Sequence, residues 1–257
     1  SVWLSQLTEL KTLNVGLLND VGGRLEITHI PKLLEIDLDA LTLVGSAGNP
    51  LGASGLIFQS LEAVTVIHLG SLQGVRGELS VDYNPFLANL DLPSLEGLGA
   101  LRVTDNGNLQ ALDLSGLASL FPCWEAPVAG CDAGGLTTAG WLTLSGNAKL
   151  KTALFPLLGS VHHTVQIDQN SGLTTVMLGS VKSAFALWIE DNGALESLDL
   201  ASLKYLPSPT SNVADPTQIS FSVTDNASLA TLTLGSLVDM KGAIRVTGSP
   251  KLAHLDV

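Results

Sequence analysis

The feature that most constrains this chain is a spelling that returns along nearly its whole length. In the central copy, residues 101–117 read LRVTDNGNLQALDLSGL, with apolar residues at Leu101, Val103, Leu109, Leu112, Leu114 and Leu117 and an amide at Asn106. Uninterrupted copies lie 22 or 23 residues apart; Leu79 to Leu101 is 22, and Val165 to Leu187 is 22. A fixed period of this size marks a solenoid, in which a unit buries its apolar side only by stacking on its neighbours.

About ten units align, from Val2 and Leu4 in the first to Ile244 and Val246 in the last. Each holds two short alternating segments, such as Leu101-Arg102-Val103 and Leu112-Asp113-Leu114. Alternation means strand, with one face in and one out. Segments this short bury nothing alone, and the period leaves no room for two full helices. The expectation is a mainly β, parallel solenoid over residues 1–257, read as one domain. Three intervals between units are longer than the rest. Their extra residues lie near Val44–Ser54, around Cys123 and Cys131, and at Pro207–Pro216, all Gly/Pro/Ser-rich as loops are.

Asn84, Asn106, Asn147, Asn170, Asn192 and Asn226 occupy one column at the bend after the first strand. An inward amide there can bond to backbone groups of neighbouring turns that a tight corner leaves unpaired. The expectation is a structural ladder. Asn226-Ala227-Ser228 is also an N-glycosylation sequon, and an inward Asn226 predicts that it carries no glycan.

The residues Leu98-x-x-Leu101-x-Val103-x-x-Asn106, then Leu109, Leu112, Leu114 and Leu117, with Gly77, Gly99 and Gly242 ahead of their units, resemble a leucine-rich repeat. They depart from it in that Leu109 follows Asn106 by three residues, not two. The pattern is similar to the L domains of insulin-receptor and epidermal-growth-factor-receptor ectodomains, and to fungal GPI-anchored cell-wall proteins of that fold. The resemblance covers essentially the full chain. It implies a right-handed helix of parallel sheets and an extracellular or cell-surface setting.

Charge narrows the partners. Twelve Lys and Arg against 24 Asp and Glu give a formal net charge of −12. Nucleic acid is excluded as an expected partner, because phosphate binding needs a basic patch. The run Ala40 to Leu61 is uncharged and long enough to span a bilayer, but Asn49-Pro50 and four glycines divide it into loop and strand. No transmembrane segment is expected. Cys123 and Cys131 lie eight apart in a Pro/Gly-rich stretch. The expectation is a local disulfide in an oxidising compartment, with two free thiols in a reducing one as the alternative.

Few residues offer chemistry. The outward position of the second strand reads Asp37, His68, Asp91, Asp113, Leu154, Met177, Asp199, Thr233 and Asp256. Asp91 and Asp113 fall on adjacent turns, where like charges repel. The expected role is a solvated acidic edge, with cation binding as the sharper alternative. The outward position after the first strand reads Thr28, Gln59, Asp82, Thr104, Ser145, Asp168, Glu190, Thr224 and Thr247. Asp and Glu break the regular Thr array that ice binding would need, and leave a shallow polar recognition face. Trp124 and Trp141 flank the cysteines and Trp188 points outward, so Trp124 and Trp188 join Asp91 and Asp113 as candidate recognition residues. His162-His163 should point to opposite faces and hold no shared metal. No nucleophile–base pair, GxSxG or P-loop occurs in the sequence.

The chain begins and stops mid-pattern, at Val2 and Leu4 and at Leu255-Asp256-Val257. The expectation is a part of a longer chain, or an array covered at its ends by other copies stacked head to tail. The function expected is a non-enzymatic extracellular structural or adhesive cell-surface protein without cofactor or metal. Its partners would be other copies or matrix components. The runner-up is a ligand-binding ectodomain, and the third reading is a carbohydrate-active enzyme on a β-helix.

Overall fold

The computed structural model describes residues 1–46, 54–120, 140–207 and 219–256. All regular structure among them is strand, and the principal sheet carries ten parallel strands in chain order. We number these β1 (Val2–Ser5), β2 (Arg24–Thr28), β3 (Gly55–Gln59), β4 (Gly74–Asp82), β5 (Gly97–Thr104), β6 (Leu142–Ser145), β7 (Thr164–Asp168), β8 (Ala186–Glu190), β9 (Ile219–Thr224) and β10 (Ala243–Thr247). This is the parallel β-solenoid that the period and the alternation predict.

Register is continuous through the stack. Leu79, Leu101, Leu142, Val165, Leu187 and Phe221 pair in one inward column, and Val81, Val103, Leu144, Ile167, Ile189 and Val223 in the next. All twelve are fully buried. The second side of the solenoid is made of three-residue strands that form three smaller sheets: Thr12–Asn14 to Asn89–Asp91, Ala111–Asp113 to Thr175–Met177, and Ser197–Asp199 to His254–Asp256. Their single inward residues, among them Ile36, Ile67, Leu112, Ala153 and Leu232, complete one unbroken core. A turn in the outermost position packs against one neighbour instead of two. Leu13, Val15 and Val246 are accordingly half-buried, and Ile244 and Leu255 are exposed.

Between these two sides the chain turns sharply, and backbone geometry decides which residues fit. β4 and β5 run on through a corner where their register slips between Leu98 and Ala100. Gly77 and Gly99 sit at that corner. A Cβ on Gly77 would lie 2.0 Å from the carbonyl oxygen of Ser54, and one on Gly99 would lie 2.7 Å from that of Gly77. Successive turns approach so closely here that no side chain fits between them.

A second special position closes the first strand of every turn. Gln6, His29, Ser60, Tyr83, Asp105, Gln169, Asp191 and Asp225 all have φ between 54° and 59°, and Gly146 and Gly248 have 68° and 66°. This is the left-handed region, which costs a residue with a Cβ of order 1 kcal/mol or more. The stack recovers it by seating the next residue inward, and in six turns that residue is the asparagine.

Candidate recognition face

The six asparagines form a hydrogen-bonded file along the core. Each is fully buried. The Asn170 Oδ1 accepts from the backbone N–H of Asn147 at 3.0 Å and from its side-chain Nδ2 at 3.2 Å. Asn170 Nδ2 in turn donates to the carbonyls of Leu144 and Asp168, at 3.0 and 2.9 Å. The same contacts link Asn84 to Asn106, Asn106 to Asn147, and the backbone of Asn170 and Asn192 to the next amide along. Asn226 donates to the carbonyls of Ile189 and Thr224 at 2.8 and 3.0 Å. The amide is needed because it both accepts and donates; a carboxylate or an alkyl group does only part of this or none.

Turned outward from the same strands are two polar columns in strict register. One runs Ser5, Thr28, Gln59, Asp82, Thr104, Ser145, Asp168, Glu190, Thr224 and Thr247. The sequence reads this column as an exposed shallow face, but much of it is shielded: Thr28, Asp82, Thr104 and Thr224 are 2–8% exposed. The cause is visible at Asp82, whose carboxylate accepts from Ser80 Oγ at 2.5 Å and from Thr104 Oγ1 at 2.6 Å. Arg102 Nε lies 3.3 Å away from it. Short polar side chains bonded to each other along the column cover one another. Glu78, on the same face of β4, is half-buried. Burial raises its carboxyl above the ordinary range, against the attraction of Arg102.

Farther along, Asp168 and Glu190 stand side by side in register. Burial raises the Asp168 carboxyl above its ordinary value, hydrogen bonds from Ser145 and Gln166 oppose the rise, and the charges of Glu190 and Asp191 add to it. Asp168 Oδ1 is buried without a hydrogen-bond partner. Glu190 Oε1 accepts from Ser222 Oγ at 2.5 Å. Trp188, half-buried, donates its Nε1–H to the carbonyl of Ile219 at 3.1 Å. At the corner nearby, the His163 and Phe185 rings lie 5.9 Å apart. His162 is exposed on the bend that leads into them.

The acidic positions of the second strand have a local use that their spacing does not reveal. Asp113 Oδ1 accepts from the backbone N–H of Ser115 at 2.9 Å, and Asp37 and Asp199 do the same for Asp39 and Ala201. Asn14 does so for Gly16. These are Asx turns, which hold the chain at the next corner. Asp91 instead lies 3.5 Å from His68 Nδ1, and His68 Nε2 is 3.2 Å from Glu35. Asp91 and Asp113 end neighbouring strands that belong to two different sheets. Among the described residues no group of three or more His, Cys, Asp or Glu side chains could hold a metal ion. Cys123, Cys131 and Trp124 lie outside the described residues, as does most of the Pro207–Pro216 insertion.

The left-handed column and the Asx turns are what reading the sequence missed. A signal existed for the first: Asp or Gly precedes four of the six ladder asparagines, at Asp105, Gly146, Asp191 and Asp225, and Gly248 holds the equivalent place in the last turn. No helix among the described residues is long and apolar enough to cross a membrane. No protein-family model, curated protein or solved structure matches this chain.

Proposed function

We propose that this chain is a non-enzymatic structural and adhesive module of a cell surface or extracellular matrix, akin in architecture to the receptor L-domain superfamily. The observation that carries the reading is the continuous register of the ten-strand sheet, which holds outward side chains in straight columns. At about 4.8 Å per strand, ten strands span roughly 43 Å. An unbroken core and a file of buried amides stiffen that length, and a stiff body with fixed columns suits display and adhesion. The net charge of −12 favours partners that are neutral or basic. Partners in this reading are other copies of the chain or cell-surface and matrix components.

The test is location. An antibody to the native protein, applied to intact and to permeabilised cells of the source, should label the intact surface or the surrounding matrix. Labelling confined to permeabilised cells would overturn the proposal.

A further inference from the structure

The outward side of β7, β8 and β9 carries a single aromatic side chain, Trp188. In the column that runs Ser80, Arg102, Thr143, Gln166, Trp188, Ser222, Arg245, residue 188 brings a large flat ring among small or polar neighbours. The bond from Trp188 Nε1 to the Ile219 carbonyl fastens the edge of the indole to β9. The ring therefore leans along the sheet, over the strand that follows its own. Burial agrees: Ser222, its in-register neighbour, is 2% exposed and Ser220 is 1% exposed, while Trp188 keeps access to solvent. Gln166 flanks the ring on β7. Glu190, two residues along the same face of β8, is held by the Ser222 hydroxyl.

We propose that Trp188, with Gln166 and Glu190 at its border, is a binding site for a neutral polysaccharide with a β-linked pyranose backbone. A pyranose with equatorial hydroxyls has flat C–H faces and a polar rim. The indole offers a flat apolar face already fixed in place, so little ordering is needed on binding. The amide of Gln166 both donates and accepts, and the carboxylate of Glu190 accepts, which matches rim hydroxyls. Asp168 and Glu190, together with the acidic chain as a whole, repel sulfated or carboxylated glycans. The proposal rests on the adhesive reading above. Location and glycan binding are separate measurements, so either can fail alone.

The intact chain is to be incubated with insoluble cellulose, chitin and β-1,3-glucan, with heparin beads as the anionic comparison. Retention on at least one of the three neutral polymers is expected, with none on heparin. Trp188→Ala should weaken retention about tenfold or more, the loss of one well-placed aromatic contact, while Trp188→Tyr should retain most of it. Circular dichroism and thermal melting report whether each variant folds. If Trp188→Ala does not fold, oxidation of wild-type Trp188 by N-bromosuccinimide, read by peptide mass spectrometry, replaces it. The retaining polymer must then slow that oxidation. Absence of retention on all three polymers, retention on heparin alone, or retention that neither Trp188→Ala nor oxidation affects would overturn the proposal.

Discussion

At Asn170 one side chain ties two adjacent turns together. Its oxygen takes two donors from Asn147, and its nitrogen reaches the Leu144 carbonyl of one neighbouring turn and the Asp168 carbonyl of its own. Replacing it with Ala would strand buried donors and acceptors at once, each worth about 1–3 kcal/mol. Asn170→Ala is expected to lower stability by about 3 kcal/mol or more, read from the midpoint of denaturant unfolding. Asn226 is held in the same way and is fully buried, so its sequon should be unoccupied. Peptide mass spectrometry of the native protein should find Asn226 unmodified. Asp168 gives a pH-dependent expectation. A carboxyl raised by burial binds its proton more tightly in the folded chain than in the unfolded one. Stability from this group is therefore present below its ordinary range and lost as pH rises through the raised value. Asp168→Asn should reduce the gain in stability seen on going from neutral pH to about pH 4, where the ordinary carboxylate range lies. An unchanged gain would mean that the group does not contribute.

At the scale of the element, the corner of β4 and β5 is the most constrained place in the solenoid. Gly77 faces Ser54 and Gly99 faces Gly77, each across one turn at a distance no Cβ tolerates, and the obstructing atoms are backbone carbonyls that cannot swing aside. Gly99→Ala is expected to cost about 1–3 kcal/mol by forcing the turns apart. Gly146 is a contrasting case. Its Cβ would lie 2.4 Å from the Asp105 carboxylate, the far end of a side chain that can move, but its φ of +68° remains unfavourable. Gly146→Ala should destabilise by about 1 kcal/mol, and adding Asp105→Ala should recover little of that, because the backbone and not the contact sets the cost. Paired melts of the single and double variants check this.

On the scale of the whole molecule, stability is a sum over stacked turns. Central turns are covered on both sides, and outer turns such as that of Ile244 and Leu255 are covered on one. In residues 1–257 prepared on their own as monomers, amide hydrogen exchange should therefore be slowest in β5 to β8 and faster toward β1 and β10. Uniform protection would contradict a stack of nearest-neighbour units. The same additivity explains why the architecture was legible: each turn repeats the apolar positions of Leu101, Val103 and Leu109, and six turns repeat the asparagine of Asn106, so one solution is written about ten times. The surface was not legible in that way. Asp113 and Asp37 face solvent as the alternation implies, but their use as Asx-turn acceptors is seen only in the fold. Asp82 looks like an exposed polar residue and is buried among Ser80, Thr104 and Arg102.

Period, inward columns and choice of strand follow from residue order alone, because alternation and repetition are local properties of the chain. Which outward groups meet across turns is set by the folded stack. Asp168 beside Glu190, Trp188 fastened to Ile219, and Gly77 against Ser54 are contacts between residues 22 to 31 positions apart. The register between turns sets each of them. Register follows from packing the core and closing the backbone hydrogen bonds together, and no local pattern of residues encodes that sum.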